Sequence, residues 1–278
     1  MNGFVPIVLF LAQIMVGSEF AHTVQTGDSL TVIGARLGVD VHVLAEANGL
    51  KAAATLKPGQ ALKVDNRHIV PPWAEGVAIV INVPQRMLFF FEGGDVSCGC
   101  PIAAGKPDWK TPLGDFEIVE MEKNPTWDVP PSIQEEMRRA GKTVLTRVPP
   151  SPQNPLGQYW MRLSLPGVGI HGTNAPSSIY KLATHGCIRL HADDVKSVFA
   201  KADVGTRGRV IYEPLLMART ADAVFLEMHP DAYKKQPNPF EKVMDIATSA
   251  GFADMLDLAL VKEVIRKRDG IARDVTLR

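Results

Sequence analysis

A histidine and a cysteine suited to nucleophilic catalysis occur close together in the second half of the chain. His171 precedes Cys187, and a second histidine, His185, lies two positions before that cysteine. A cysteine attacks an electrophile as its thiolate, so its ordinary pKa of about 8.5 must be lowered by a nearby imidazolium or by backbone N–H groups. Both histidines are therefore candidates for the group that activates Cys187.

The residues next to Cys187 are also suited to acyl transfer. Gly186 has no Cβ, which lets a substrate approach and lets the backbone direct successive N–H groups at an oxyanion. Arg189 lies two positions after Cys187 and hence on the same side of a strand, where its guanidinium can bind a carboxylate. Segment 184–190 thus contains a candidate nucleophile, oxyanion site and anion-binding residue.

Spacing alone leaves three interpretations of these residues open. The first is a cysteine nucleophile with a histidine base. The second is a zinc site, because ligand atoms of the type that zinc prefers are available from His171, His185, Cys187 and His191. The third is that they are inert, because a lone cysteine or histidine is often a core residue. Residue types and spacing do not decide among the three.

The composition excludes several classes of protein. The 278 residues include 30 Lys and Arg against 30 Asp and Glu, so the formal net charge is 0 and nucleic-acid binding is not expected. With 46% hydrophobic residues, the chain is long enough for more than one domain. Three cysteines are too few for a disulfide scaffold. We expect Cys98 and Cys100 to be small core residues on one face of a strand, with a local disulfide as the alternative.

An apolar run at the N-terminus predicts export. Residues 4–16 are almost all apolar, which is about the length of a signal-peptide core and short for a membrane span. We interpret residues 1–21 as a signal peptide, with a membrane anchor as the alternative. Either interpretation places the rest of the chain in the periplasm or cell envelope.

Residues 22–66 predict a small module of strand, helix, helix and strand. Ser29 is a helix N-cap, and the second helix ends at Asn48 and Gly49. The segments TVQTGDSL (23–30), NGL (48–50) and LKPGQ (56–60) resemble a LysM domain. The resemblance implies binding to glycans that contain N-acetylglucosamine, such as peptidoglycan, with use as a spacer as the alternative. Residues 67–76, with two consecutive prolines, are interpreted as a linker.

Residues 77–214 predict a mainly β domain. Strands are expected over 77–83 and 87–91 because both are continuous apolar runs bounded by turn residues. One helix is expected to begin at Ser132, which forms a capping box with Glu135, and another to cover 192–202. Residues 215–278 predict a helical C-terminal extension, to which we assign no function.

A second resemblance covers most of this β domain. The relevant segments are GKP (105–107), TPLG (111–114), NPTW (124–127), PPSPQNPLG (149–157), IHGTN (170–174) and THGCIRL (184–190). They resemble the YkuD-type L,D-transpeptidases, in particular the ErfK/YbiS subgroup. The resemblance implies a sandwich-like β domain and a peptidoglycan enzyme without a metal or other cofactor. The chain departs from the family pattern at Thr184, where serine is commoner, and in its longer tail.

The resemblance also implies roles for individual residues. Cys187 is the nucleophile and His171 is its base, held in one tautomer by a carbonyl at or near Gly172. Backbone N–H groups around His185, Gly186 and Cys187 form the oxyanion hole. The residues expected to contact substrate are Arg189, Thr173, Trp127 and Tyr159, although a purely structural role is the alternative for the two aromatic residues.

The implied reaction is acyl transfer through a cysteinyl thioester. Family members attack the tetrapeptide stem at the L-centre of diaminopimelate, release D-alanine and transfer the acyl group to an amine. The acceptor is either another stem peptide or a lysine of an outer-membrane lipoprotein. An L,D-carboxypeptidase, in which water is the acceptor, is the nearest alternative. A peptidoglycan-binding scaffold without activity is the alternative from a different class.

Overall fold

The N-terminal domain is a two-stranded sheet covered by two helices. The computed structural model describes residues 15–72 and 74–278. The elements of this part are β1 (Met15–Val16), β2 (Glu19–Thr23), α1 (Leu30–Leu37), α2 (Val41–Ala47), β3 (Ala61–Asp65) and β4 (His68–Ile69). Strand β2 pairs antiparallel with β3 along its whole length. The predicted order of strand, helix, helix and strand is therefore present.

The caps of α1 explain why this helix begins and ends where it does. The side chain of Ser29 accepts a hydrogen bond from the backbone N–H of Val32, as expected of an N-cap. The helix ends at Gly38, whose φ of 71° is readily adopted only by glycine. In the predicted signal segment, residues 15–16 form β1 and residues 19–21 belong to β2, whereas residues 1–14 lie outside the described residues.

The segment predicted to be a linker is partly buried. Strand β4 pairs with β1, and His68, Ile69 and Val70 are each at most 5% exposed. This differs from an extended, solvated linker because His68 hydrogen-bonds to Gly38 and Glu227, and Ile69 packs against apolar residues of segment 215–278. Pro71 continues this buried part, whereas Pro72 is exposed.

The N-terminal domain also contacts the next domain directly. The Nε2 atom of His191 donates to the carbonyl oxygen of Ala35 at 3.0 Å, and Nη1 of Arg36 donates to Oδ2 of Asp194 at 3.3 Å. Both contacts join helix α1 to residues at the start of a helix of the β domain. The two domains therefore pack against each other as well as being joined by the connecting segment.

The second domain is a closed β-sheet, in agreement with the mainly β prediction. Its elements are β5 (Ile79–Asn82), β6 (Met87–Glu92), β7 (Asp95–Gly105), β8 (Gly114–Lys123), β9 (Trp127–Asp128), α3 (Pro131–Arg139), β10 (Arg147–Val148), β11 (Tyr159–Leu163), β12 (Gly169–His171), a 3₁₀ helix (Pro176–Ser178), β13 (Leu182–Thr184), β14 (Ile188–Leu190), α4 (Ala192–Lys201) and β15 (Arg207–Ile211). The sheet order is β13-β7-β14-β12-β11-β8-β15-β5-β6, and β6 also pairs with β7. This last pairing closes the sheet around an apolar core.

The core of the closed sheet explains the continuous apolar runs in the sequence. Ile81, Leu88, Ile102 and Met161 are fully buried inside it. Helix α4 covers the sheet through its buried face, as its apolar spacing predicts. Burial of this apolar surface is the main driving force for the fold.

Helix α3 lies outside this core. It is flanked by β9 and β10, which pair antiparallel with each other, and none of its residues is buried. The predicted capping box is wrong, because the helix begins at Pro131 with Pro130 as N-cap and no side-chain cap. Glu135 forms ion pairs with Arg138 and Arg139 on the same helix instead. We call the segment from β9 to β10 the α3 excursion.

The C-terminal extension contains a small sheet as well as helices. Its elements are β16 (Leu215–Arg219), β17 (Val224–Met228), α5 (Pro239–Ser249), a 3₁₀ helix (Ala253–Met255), α6 (Leu258–Lys267) and β18 (Arg273–Asp274). The predicted helical character is present in α5 and α6, but the antiparallel sheet β16-β17-β18 was not predicted from the sequence. None of the helices in the described residues is long and apolar enough to span a membrane.

Cys98 and Cys100 are joined by a disulfide in β7. The sequence analysis favoured two core thiols, with the disulfide as the alternative. Alternation along the strand places both side chains on one face with Gly99 between them, which makes the short-range pairing possible. Cys187 is the free cysteine of the chain.

Candidate active site

Strand pairing brings the two halves of the predicted catalytic pair together. Strands β12 and β14 are parallel neighbours in which His171 pairs with Arg189. Opposite residues of paired strands point to the same face of the sheet, so His171 and Arg189 share one face. Cys187 directly precedes β14 and is partly exposed, whereas His171 is buried. Residues far apart in sequence therefore form one site.

The ring of His171 is held in a single orientation. Its Nδ1 atom donates to the carbonyl oxygen of Gly172 at 2.7 Å. The proton is therefore on Nδ1, and the lone pair on Nε2 is available to accept a proton. Burial lowers the pKa of His171 to about 3, and the charge of Arg189 acts in the same direction. The imidazole is therefore neutral at physiological pH.

The thiol of Cys187 is also neutral in the resting site. Burial raises its pKa above the ordinary value, while Arg189 acts in the opposite direction. The thiol donates to the carbonyl oxygen of Gly167 at 3.7 Å. These pKa directions do not support the expectation of a resting thiolate activated by an imidazolium. A neutral thiol has to lose its proton during the attack on a substrate, and a neutral imidazole can accept it.

The loop before Cys187 is fixed by the hydroxyl of Thr184. This hydroxyl donates to the carbonyl oxygen of Cys187 at 2.6 Å and accepts from the N–H of Gly186 at 3.2 Å. Gly186 has a φ of +112°, which only glycine adopts without strain. The N–H of Gly186 is therefore already paired, and the N–H of Cys187 is the better candidate for an oxyanion donor.

Comparison with known proteins identifies the domains. A family model described as the L,D-transpeptidase catalytic domain (YkuD) matches residues 76–211, and a LysM domain model matches residues 22–65. Probable L,D-transpeptidase ErfK/SrfK of Salmonella typhimurium is 30% identical over 260 residues, which cover 89% of this chain and 82% of the relative. The chain belongs to the YkuD-type L,D-transpeptidases.

Other similar proteins have the same description. Probable L,D-transpeptidase YbiS of Escherichia coli is 27% identical over 268 residues, covering 92% of this chain and 87% of that protein. The solved catalytic domain of an E. faecium L,D-transpeptidase is 24% identical, with a TM-score of 0.38 over 49% of this chain and 96% of that one. The predicted resemblance to the ErfK/YbiS relatives, together with the LysM domain, is confirmed.

Two residues of this L,D-transpeptidase that the sequence analysis did not assign to the site position its nucleophile loop. The hydroxyl of Thr111 donates to the carbonyl oxygen of Gly186 at 2.9 Å and accepts from the N–H of Gly105 at the same distance. The hydroxyl of Tyr233 accepts from the N–H of Thr111 at 3.1 Å and donates to the carbonyl oxygen of Gly105 at 2.7 Å. Because Thr111 fixes the carbonyl of the Gly186–Cys187 peptide, it also fixes the direction of the Cys187 N–H.

Tyr233 belongs to the C-terminal extension, which therefore reaches the catalytic loop. The sequence contained one signal for Thr111, which lies in the quoted segment TPLG (111–114), but none for Tyr233. Tyr233 is itself held by Tyr212, whose hydroxyl accepts from the Tyr233 N–H at 2.7 Å. Tyr212 in turn donates to Asp231 at 2.8 Å. The extension is thus a structural support of the active site.

Tyr233→Phe is expected to slow thioester formation roughly five- to tenfold, equivalent to the loss of about 1 kcal/mol of hydrogen bonding. The measurement is the single-turnover rate at which Cys187 is acylated, followed by intact mass. Tyr180→Phe is the matched control because it removes the same atom from a buried tyrosine outside the Gly186 loop. Equal slowing in both variants, or no slowing in Tyr233→Phe, would contradict the assigned role.

Arg189 is anchored but incompletely paired. Its Nη1 atom donates to the hydroxyl of Ser178 at 2.8 Å, while its Nε has no partner among the described residues. Burial lowers the pKa of this guanidinium, although the ordinary value is so high that the group remains charged. A buried cation without a carboxylate partner is suited to a negatively charged group of a substrate.

The other residues predicted to contact substrate lie in two parts of the structure. Tyr159 and Thr173 line a cavity of about 410 Å³ that adjoins Gly172, directly after His171 in the chain. Tyr159 also packs against Phe199, with 4.9 Å between ring centroids. Trp127 lies instead in β9, at the base of the α3 excursion. The structure therefore brings Tyr159 and Thr173 to one cavity, and Trp127 is not among the residues that line it.

The zinc interpretation is not supported. His191 uses its Nε2 atom to contact helix α1, and the four candidate ligands do not form a metal-binding group among the described residues. The group whose spacing could hold an ion is His68, Glu227 and His229, between the connecting segment and the C-terminal extension.

The hydrogen bonds of His68, Glu227 and His229 show that this group is a buried ion pair. Oε1 of Glu227 accepts from Nδ1 of His68 at 2.8 Å and from Nε2 of His229 at 2.6 Å. The Nε2 atom of His68 donates to the carbonyl oxygen of Gly38 at 2.9 Å, so both nitrogens of His68 face acceptors. Burial acts to raise the pKa of Glu227, but the facing histidines lower it to about 2.

Proposed function

We propose that this L,D-transpeptidase joins peptidoglycan stem peptides through a thioester on Cys187, with His171 as the base. The observation that supports the proposal is the parallel pairing of β12 and β14, in which His171 lies opposite Arg189, two residues after Cys187. The fixed tautomer of His171 supports it, because Nε2 is then available for proton transfer. The LysM domain supports peptidoglycan as the polymer that is bound.

In the first half-reaction, the sulfur of Cys187 attacks the carbonyl carbon of the diaminopimelate L-centre in a tetrapeptide stem. Nε2 of His171 accepts the thiol proton as the C–S bond forms, and the oxyanion accepts a hydrogen bond from the Cys187 N–H. The C–N bond then breaks, and His171 returns the proton to the departing nitrogen. The products are a thioester and free D-alanine.

In the second half-reaction, an amine attacks the thioester carbon. His171 accepts a proton from the amine, the C–S bond breaks, and the proton returns to the sulfur of Cys187. The product is a new amide bond. We propose a second stem peptide or the lysine of an outer-membrane lipoprotein as the source of the amine, and the periplasm as the compartment.

The proposal is tested by incubating the protein with a disaccharide-tetrapeptide, with and without a lysine-ended lipoprotein peptide. Products that have lost D-alanine and gained an amine partner are expected, and Cys187→Ala is expected to lose at least about 10³-fold of this activity. Because Cys187 is the free cysteine, an acyl adduct in the intact mass is readily assigned to it.

Each other outcome assigns a different function. A tripeptide product alone would establish the L,D-carboxypeptidase. Untouched substrate together with binding to peptidoglycan would establish the scaffold. Equal activity of wild type and Cys187→Ala would overturn the mechanism.

A further inference from the structure

The α3 excursion contacts the active-site loop through the carboxylate of Glu136. Its Oε2 atom accepts from Nε2 of His185 at 2.6 Å, and its Oε1 atom lies 3.6 Å from Nζ of Lys106. The His185 hydrogen bond and, more weakly, Lys106 lower the pKa of Glu136, so the carboxylate is ionised. Two cationic or proton-donating side chains thus converge on one carboxylate group.

Lys106 and His185 both belong to the main β domain, directly beside the nucleophile loop. The backbone N–H of Lys106 donates to the carbonyl oxygen of Thr184 at 3.1 Å, which fixes it next to that loop. The ring of His185 contacts the ring of Trp109 edge to face, with 4.9 Å between centroids. These two side chains are therefore positioned by the domain that contains Cys187.

Glu136, by contrast, lies on an element that is weakly held. None of the residues of α3 is buried, and Glu136 and Lys106 are both partly exposed. Ion pairs between exposed side chains contribute little to stability because water competes for both partners. A second carboxylate of suitable position can therefore displace Glu136 at little cost.

We propose that Lys106 and His185 form a binding site for a free carboxylate of the stem peptide, and that Glu136 occupies this site before the substrate binds. The proposal rests on the proposed function, because it identifies a substrate contact for that reaction. Glu136 presents the same chemical group as the substrate would. Displacing it releases the α3 excursion from the nucleophile loop.

The reach of the substrate fits this position. His185 precedes Cys187 by two positions, so its Cα lies at most about 7 Å from that of Cys187. The terminal carboxylate of D-alanine is one residue beyond the carbonyl that Cys187 attacks, a distance of roughly 3.8 Å. The carboxylate at the D-centre of diaminopimelate is the other source of the same group, at the end of a longer side chain.

The test compares KM and kcat for donor release in Glu136→Gln, Lys106→Met and wild type. Glu136→Gln is expected to lower KM for the tetrapeptide donor about three- to tenfold with little change in kcat, because a competing internal carboxylate is removed. Lys106→Met is expected to raise KM about tenfold. Glu135→Gln is the matched control, because it removes the same charge from the neighbouring residue, which pairs only within α3.

Two modified donors identify the carboxylate. One has the terminal D-alanine as its amide, and the other has the D-centre carboxyl of diaminopimelate as its amide. Glu136→Gln should no longer lower KM for the donor whose amide replaces the carboxylate that Lys106 and His185 bind. If Glu136→Gln lowers KM equally for both amide donors and for the unmodified donor, no substrate carboxylate competes with Glu136. The proposal is then overturned.

The remaining outcomes separate this inference from the proposed function. An identical KM in Glu136→Gln and Glu135→Gln, or a raised KM in Glu136→Gln, would overturn the inference while leaving transpeptidation intact. Release of D-alanine that persists in Cys187→Ala would overturn the proposed function instead. The two failures therefore give different results.

Discussion

Replacing His171 with glutamine is expected to slow thioester formation by about 10²- to 10⁴-fold. The glutamine amide can still donate to the carbonyl of Gly172, but it provides no base for the thiol proton of Cys187. Because burial raises the pKa of this thiol, little thiolate forms without that base. The measurement is the single-turnover rate of Cys187 acylation by the tetrapeptide donor.

The pH dependence of this rate adds an independent check. The pKa of His171 is lowered to about 3, so the neutral base is present throughout the range from pH 5 to 8. The wild-type rate is therefore expected to show no step near the ordinary histidine value of 6.5. In His171→Gln, the residual rate is expected to rise with pH, because hydroxide then has to remove the thiol proton.

Histidine 42 provides the control for this experiment. His42 is exposed on α2, so His42→Gln makes the same chemical change away from the site and should leave the rate unchanged. A His171→Gln rate within tenfold of wild type, in a protein that melts at the wild-type temperature, would rule out His171 as the base.

Replacing Glu227 with glutamine is expected to lower the free energy of unfolding by about 3 to 5 kcal/mol. The change removes the negative charge that His68 faces in a buried site, and it introduces amide donors toward side chains that also donate. The backbone N–H of Ile69 also donates to this carboxylate. The measurement is equilibrium denaturation, and Glu213→Gln is the control because its ion pair with Lys242 is partly exposed and contributes about 1 kcal/mol or less.

The pH dependence of stability follows from the same cluster. The pKa of Glu227 is lowered from 4.5 to about 2 on folding, so its contribution is present above pH 4.5 and is lost as the pH falls toward 2. Burial lowers the pKa of His229 below 6.5, so acidification below that value also favours the unfolded chain. Wild type is therefore expected to lose stability from about pH 6.5 downward. Below pH 4.5, Glu227→Gln should lose less stability than wild type. An identical dependence of unfolding free energy on pH in both proteins would contradict the lowered pKa of Glu227.

The parts of the fold that the sequence predicted are those with local signals. Helix α1 has its cap at Ser29, β5 and β6 are continuous apolar runs, and the motif around Cys187 is compact in sequence. Helix α3 was misjudged because Ser132 follows two prolines that themselves start the helix, so that the apparent capping box lies inside the first turn. Local patterns thus predicted most elements but not every boundary.

The missed features depend on contacts between distant segments. The sheet of the C-terminal extension consists of short strands whose pairing, such as Phe225 with Asp274, leaves no periodic signal. The role of Tyr233 depends on its contact with Thr111, and the environment of Glu227 depends on His68 in the connecting segment. Burial at these sites also reversed the expected direction of the Cys187 pKa. No spacing rule contains this information, because it arises only when the chain is folded.

The packing of the LysM domain against the catalytic domain limits which stem peptides the enzyme can reach. A flexible linker would let one bound glycan offer many neighbouring stems to Cys187, at an effective concentration set by the length of that linker. Here Ala35 and Arg36 of the LysM domain contact His191 and Asp194 of the catalytic domain, so the two domains pack against each other in one arrangement. A glycan strand held by the LysM domain would therefore present stems at a set number of sugar units from its binding point.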